Sequence, residues 1–338
     1  MSSGIYLDSY LSALAPWLTR ENVTDVLVNK PGEVWIETND GVMDRVDAPD
    51  VTEVALSRLA RQIAAWSHQG VNREQPLLSA TLPNGARVQI VSPPATRSGM
   101  ALAVRKHVIS DLSVDDLAQS GLFAGAAEPN PDYQAFKDAQ LATLLHRGDT
   151  AAFLKAATRN RKTIVICGGT STGKTTLLNA LVHEIGREER LIVIEDAPEI
   201  RLVHPNSVGL IAVRGELGEA QIDADDLLRA ALRMRPNRIL LGELRGKEAF
   251  AFLRAVNSGH PGSITTVHAD SPEGAIDQIA LLAMTAGLNL GWEQIKTYIR
   301  RVIDVIVQLD NSNGRRRVSD IKFLTALNRP AEDDKQIA

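Results

Sequence analysis

The chain holds one cysteine, Cys167, in 338 residues, which excludes an internal disulfide. Cys167 closes an apolar run and reads as a small buried hydrophobe rather than a reactive thiol, in keeping with a reducing, cytoplasmic setting. Basic charge is also scarce. The net charge of −4 argues against strong, sequence-independent nucleic-acid binding, which needs a basic footprint. The short run Arg315-Arg316-Arg317 reads as a solvated hairpin edge. No apolar window of about 18 residues occurs, so no transmembrane span is expected. The opening MSSGIYLDSYLSALAPWLTR lacks a basic start before an apolar core, so a signal peptide is not expected either. The seven histidines do not cluster, and no metal-ligand spacing is found. Hydrophobic residues at 44% and charged residues at 23% are ordinary for a globular protein, and the length accommodates two domains.

The stretch Gly168 to Thr175, GGTSTGKT, fits G-x-x-x-x-G-K-[ST]. It comes after the apolar run Thr163–Cys167 and precedes a helix-like segment from Thr176. Strand, glycine loop and helix in that order make a phosphate-binding loop. Glycines let backbone amides curl around a phosphate without a Cβ in the way. The helix after the loop points its positive end at the same anion. Lys174 is expected on the β- and γ-phosphates of ATP, and the Thr175 hydroxyl on Mg²⁺. The expected nucleotide-binding residues are Gly168, Gly169, Thr170, Ser171, Thr172, Gly173, Lys174, Thr175 and Thr176.

The periodicity before the loop predicts an α+β unit over residues 1–110. Its parts are an amphipathic helix over 5–18 docked on the core, strands 25–29, 33–38 and 42–46, a helix over 51–67, a hairpin of 78–82 with 87–91, and a strand at 101–105. Residues 111–150 read as a connection, Gly/Ala/Pro-rich from Gly121 to Pro131, with a helix over Phe136–Leu145. Its length suits a hinge for domain closure, or an exchange of partners between subunits. From residue 151 onward strands and helices alternate, as a parallel sheet with crossovers requires. The strands expected are 163–167, 191–194, 208–213, 239–242, 263–267 and 305–309. The last of these forms a hairpin with 317–324 across Asn311–Gly314. The polar tail after Arg329 reads as disordered.

Three strand ends carry candidate chemistry. Arg238–Leu241 ends in Gly242-Glu243, an apolar strand ending in an acid as in a Walker B element; Glu243 is expected to orient attacking water. Leu191–Ile194 ends in Glu195-Asp196, with Glu199 beyond, which puts Glu195 and Glu199 near the Mg²⁺; a capping role for Asp196 is the competing reading. Ser263–Val267 ends in His268, either a structural histidine or a hydrogen-bond partner of the γ-phosphate.

In order and spacing, these blocks resemble the traffic ATPases of the type II/type IV secretion superfamily. GGTSTGKTT looks like the family's Walker A, IVIEDAPEI its Asp box, RILLGELRG its atypical Walker B and GHPGSITTVHADSP its His box. PLLSATLPNGARVQIVSPP looks like the hairpin of the family's N-terminal domain, so the resemblance covers nearly the whole chain. It is nearest the type IV secretion and conjugal-transfer branch. The resemblance implies an α/β fold: a RecA-like P-loop ATPase domain behind a smaller α+β domain. It also implies ATP hydrolysis with Mg²⁺, a homohexamer peripheral at a bacterial inner membrane, and partners in a membrane-embedded secretion complex that assembles a pilus or moves DNA or protein. It implies that Arg87 and Arg105, from the N-terminal domain, contact the γ-phosphate with His268, joining Glu243, Lys174 and Glu195 in catalysis. One departure stands out: Ser171 replaces the middle glycine of the family loop and Thr172 the serine, so a left-handed backbone at 171 carries strain. The other readings are a type II secretion or type IV pilus motor, a RecA-like nucleic-acid translocase, and a small-molecule kinase or non-hydrolysing scaffold. The four-cysteine zinc module of many type II assembly ATPases is missing, and the charge speaks against the translocase.

Overall fold

The computed structural model of the protein describes residues 10–107, 113–119, 121, 123, 131–213, 219–287, 289–312 and 314–324. Two sheets organise it. The N-terminal sheet contains β1 (Val23–Val28), β2 (Gly32–Thr38), β3 (Met43–Ala48), β4 (Leu77–Thr81), β5 (Arg87–Val91) and β6 (Ala101–Arg105). Its order is β3-β2-β1-β6-β5-β4, and each neighbouring pair is antiparallel. One face is covered by α1 (Ala15–Leu18) and α2 (Glu53–Trp66), whose Trp17, Leu56, Leu59 and Ile63 pack on Val26, Val34, Ile90 and Leu102. The Thr52 hydroxyl caps α2 by accepting from the Ala55 amide at 3.1 Å. The described part of the expected helix over 5–18 thus docks on the core through Leu14 and Trp17; residues 5–9 lie outside the described residues.

The other face of this sheet is not exposed. Leu27, Trp35, Val91, Ala101 and Ala103 are buried in one cluster with Leu228, Ala231 and Met234 of the second unit. Strands buried on both faces lose the polar/apolar alternation of a one-sided sheet, and β6 reads Ala-Leu-Ala-Val for that reason. The seam also has polar ties. Asn29 Nδ2 donates to Asn206 Oδ1 at 2.9 Å, and Glu37 pairs with Arg235. The wholly buried Arg190 donates to Asn29, to Asn206 and, at 2.9 Å, to the Met234 carbonyl. Burial pushes the Arg190 guanidinium down to about 9.

The C-terminal sheet runs β13-β12-β7-β11-β10-β8-β9. Its strands are β7 (Ile164–Gly168), β8 (Leu191–Glu195), β9 (Ser207–Ile211), β10 (Arg238–Leu241), β11 (Ile264–Val267), β12 (Val305–Ser312) and β13 (Arg315–Phe323). All pairs are parallel except the β12–β13 hairpin. After α3 (Val114–Gln119), one face carries α4 (Pro131–His146), α5 (Thr150–Arg159) and α6 (Lys174–Val182). The opposite face carries α7 (Ala224–Ala231), α8 (Glu248–Asn257), α9 (Pro272–Met284) and α10 (Trp292–Val302). Cys167 lies in β7; its thiol donates to Gln308 Oε1 at 2.8 Å, and burial pushes it up to about 12. Among the described residues, no helix is long and apolar enough to cross a membrane.

The connection differs from expectation in its second half. The helix expected over 136–145 begins at Pro131 and packs Leu141 into the core beside Phe153 and Leu178, while Lys162 pairs with Asp138 at 2.6 Å. This part of the connection therefore rides with the C-terminal sheet. Helix α5 was not expected from the sequence, although Asp149 caps it (3.1 Å to the Ala152 amide) and Phe153, Leu154 and Ala157 share its buried face. Most of Gly121–Pro131, and the tail after Arg329, lie outside the described residues.

Phe153 meets Phe323 of β13 edge-on, with ring centroids 5.5 Å apart. Phe153→Ala is expected to cost about 3–5 kcal/mol of unfolding free energy, as large core truncations do. Urea titration of both proteins measures it, and a cost below about 1 kcal/mol would contradict the packing of α5.

Candidate nucleotide site

Parallel pairing brings four strand ends level. Leu241 of β10 stands opposite Ile194 of β8 and Thr265 of β11, and Val267 of β11 stands opposite Cys167 of β7. The residues just beyond, Gly168, Glu195, Glu243 and His268, therefore share one edge, as ligand crevices of such sheets do. They enclose a cavity of about 350 Å³, lined among others by Thr170, Ser171, Lys174, Thr175, Glu195, Asp196, Glu199, Glu243, Arg245 and His268.

The loop's backbone explains its residues. Gly173, at the N-terminus of α6, has φ +98°, a region that favours glycine. At Gly168 a Cβ would lie 2.6 Å from the Leu309 carbonyl oxygen and 2.7 Å from the Thr172 hydroxyl. Thr172 is buried and donates to the Gly169 carbonyl at 2.9 Å, locking the turn from inside. Ser171 has φ +61°, so the strain expected from the missing glycine is present. Lys174 Nζ donates to the carbonyls of Gly168 and Gly169 at 2.9 and 3.0 Å and stands 3.4 Å from His268 Nδ1. Burial lowers its pKa, with Glu243 opposing. Thr176 is exposed and lines no part of the cavity.

Glu243 is gripped from two sides. Arg245 donates to Oε2 through Nε at 2.8 Å, and His268 Nε2 lies 2.8 Å from Oε1. Arg245 also reaches Asp196 at 3.1 Å, and its pKa is raised first by the Glu243 hydrogen bond. The turn that aims Arg245 is fixed by Glu248, whose buried carboxylate accepts from the amides of Arg245 and Gly246 at 2.6 and 2.8 Å. Arg245 is a site residue that sequence reasoning missed. Its signal was the spacing Glu243-x-Arg245, which brings the two side chains to one side of an extended turn.

Glu195, at the end of β8, and Glu199, beyond it, separate. Glu199 Oε2 accepts from the Thr175 hydroxyl at 3.0 Å, inside the cavity. Glu195 is almost fully buried; Oε1 accepts from the amides of Glu199 and Ile200 at 2.9 and 2.7 Å, and Oε2 pairs with Arg97 from the N-terminal unit. Both were expected near Mg²⁺, but here only Glu199 touches Thr175. Thr175 and Glu199 offer the hard oxygen donors that Mg²⁺ takes, and Mg²⁺ draws its other ligands from water and phosphate, so no larger protein cluster is needed. Among the described residues, no group of three or more His, Cys, Asp or Glu forms a metal cage.

Arg87 and Arg105 are not brought to the loop of their own chain. They stand opposite each other on β5 and β6 and line a separate cavity of about 1040 Å³ with Asp25, Arg233, Arg235 and His260. That cavity lies by the start of β10, away from the loop, so within one chain the two arginines do not line the cavity that holds Lys174. Sequence spacing places an arginine on a strand but not on a side of the molecule.

Ser171→Gly removes a strained side chain and is expected to leave unfolding free energy within about 1 kcal/mol, with nucleotide affinity kept. Ser171→Val, β-branched at the same φ, is expected to destabilise by about 1–2 kcal/mol and weaken binding. Thermal melts and calorimetry with ATP check both; a Ser171→Gly protein that binds tenfold more weakly would contradict this account of the loop.

Comparison with known proteins agrees with this geometry. The type II/IV secretion system protein family matches residues 134–334. The chain is 37% identical over 326 residues to the type IV secretion system protein VirB11 of Bartonella quintana, covering 93% of this chain and 91% of the relative. It is 40% identical over 337 residues to the type IV secretion system protein PtlH of Bordetella pertussis, covering 96% and 97%. The crystal structure of the VirB11 ATPase from the Brucella suis type IV secretion system, in complex with sulphate, superposes with a TM-score of 0.87 at 36% identity and covers 95% of each chain. On the match to its family, the near full-length relatives and the shared fold, the chain belongs to the type II/IV secretion system proteins, in their type IV branch.

Proposed function

We propose that the protein hydrolyses ATP to power a type IV secretion system, as a ring of six copies on the cytoplasmic face of a bacterial inner membrane. The observation that carries the enzymatic reading is Glu243, held between Arg245 and His268 at the end of β10, in one cavity with Lys174 and Thr175. A carboxylate fixed on both oxygens' flanks is oriented to accept a proton from a water attacking the γ-phosphate. Lys174 turns its ammonium from the loop carbonyls to the phosphates and offsets charge as the terminal bond breaks. His268, beside both Lys174 and Glu243, contacts the γ-phosphate oxygens and so distinguishes ATP from ADP. The Thr175 hydroxyl and the Glu199 carboxylate would hold Mg²⁺, which would offset the negative charge of the phosphates.

The two-unit division supports a mechanical output. The proposed units are residues 1–110 and 151–338, joined by 111–150, of which α4 packs on the second unit. Loss of the γ-phosphate loosens one unit against the other, and around a ring such movements drive pilus assembly or the passage of DNA or protein through the membrane-embedded complex. Arg87 and Arg105, remote from their own chain's loop, are assigned to the nucleotide of a neighbouring copy, where their charge completes the site.

The test is turnover and mass together. With ATP and Mg²⁺ the wild-type chain is expected to hydrolyse ATP and sediment as a hexamer, and Lys174→Ala is expected to lose at least about 100-fold in rate. Lys174→Ala chains mixed with Arg87→Ala chains are expected to regain activity, because some interfaces then pair an intact loop with an intact arginine. Full turnover by Lys174→Ala would refute the site, and mixtures no more active than their parts would refute the assignment of the arginines.

A further inference from the structure

The segment between β5 and β6 leaves the N-terminal sheet and joins the edge of the C-terminal one. The Arg97 amide donates to the Gly209 carbonyl at 3.0 Å, the Ile211 amide donates to the Ala95 carbonyl at 3.0 Å, and Thr96 bridges Leu210 in antiparallel sense. Residues 95–97 thus add a short strand to β9, the outermost strand of that sheet, and cover its open edge. From this strand the Arg97 side chain runs inward across Gly209. A Cβ at 209 would lie 2.6 Å from Arg97 Cδ and 2.9 Å from Nε, so a side chain there would displace Arg97 from its path.

The guanidinium ends on the turn beyond β8. Its Nη1 donates to the Ile200 carbonyl at 2.7 Å, and it pairs with Glu195. Both side chains are largely buried, at 14% and 3% exposure. Glu195 in turn accepts from the amides of Glu199 and Ile200. Arg97 and Glu195 therefore clasp residues 195–200 from both sides, and Glu199, the acid that meets the Thr175 hydroxyl, stands on that turn.

We infer that Arg97 is a positioning residue for the nucleotide site: docked from the N-terminal unit, it holds the 195–200 turn so that Glu199 stays on the metal side of Thr175. Neither Arg97 nor Glu195 needs to touch nucleotide for this. A buried carboxylate relieved of its partner charge is unfavourable, so withdrawal of Arg97 lets the turn relax and Glu199 leave Thr175. The metal side of the site is then assembled only while the two units are docked on each other. The inference rests on the reading of Thr175 and Glu199 as the magnesium-facing pair.

The experiment measures binding of a fluorescent ADP derivative to the full chain, with and without Mg²⁺. The quantity read is the gain in affinity that the metal confers. Arg97→Ala is expected to lose at least tenfold of that gain while metal-free affinity stays within twofold. Arg97→Lys, which keeps the charge but not the two-pronged contact, is expected to recover part of it, and serves alone if Arg97→Ala does not fold. Gly209→Ala, which displaces Arg97 without removing it, is expected to shift the gain the same way. In a Glu199→Gln background, Arg97→Ala is expected to add no further loss. An unchanged metal gain in Arg97→Ala beside a lost one in Glu199→Gln overturns the inference and leaves the reading of Glu199 standing. An unchanged gain in Glu199→Gln overturns both, and additive losses overturn the route through Glu199.

Discussion

Four parallel strands ending on one edge is the constraint on which everything else in this molecule depends. Hydrogen bonding between β7, β11, β10 and β8 fixes their ends in register, and so places the residues just past each end. A phosphate loop, a histidine, an arginine-braced glutamate and a pair of acids are thereby delivered to one cavity from widely separated stretches of chain. None of these side chains chooses its place; the ladder does. Gly242 shows how tight the convergence is, since a Cβ there would stand 3.1 Å from Glu195 Cγ.

The same ladder leaves β9 at an open edge, and the N-terminal unit covers it. Its own sheet lays Leu27, Trp35 and Ala103 in one cluster with Leu228, Ala231 and Met234 at and just beyond α7, and residues 95–97 pair with the edge. Apolar burial gives the seam its cohesion, while Asn29, Arg190, Asn206 and the Glu37–Arg235 pair fix its register. A seam held partly by polar contacts resembles a transient interface more than a core, which suits the proposed movement of one unit against the other.

The sequence was most informative where local chemistry dictates structure. The loop, the strand-end acids, His268, both hairpins and the parallel sheet are legible from motif and period, because glycine geometry and apolar alternation act over a few residues. The left-handed Ser171 could be foreseen from one missing glycine. Long-range features were hidden. Arg97 and Glu195 are 98 positions apart, and nothing near either announces the pair. Arg87 and Arg105 lie on the strands expected, but that they line a cavity away from their own chain's loop could not be read from the sequence, because sidedness is set by how two units dock. Helix α5 is a different case, since its cap and its i, i+4 apolar pair are both local signals that the sequence carries in plain view.

The central claim is that this crevice cleaves the nucleotide it binds, through the carboxylate of Glu243. Replacing only that group's charge, in Glu243→Gln, separates binding from chemistry. The decisive measurement is ATP affinity and steady-state turnover of that variant side by side with the wild type, in Mg²⁺. The account predicts affinity within about threefold and turnover lower by roughly 100-fold or more. Turnover at the wild-type rate with binding intact would contradict it.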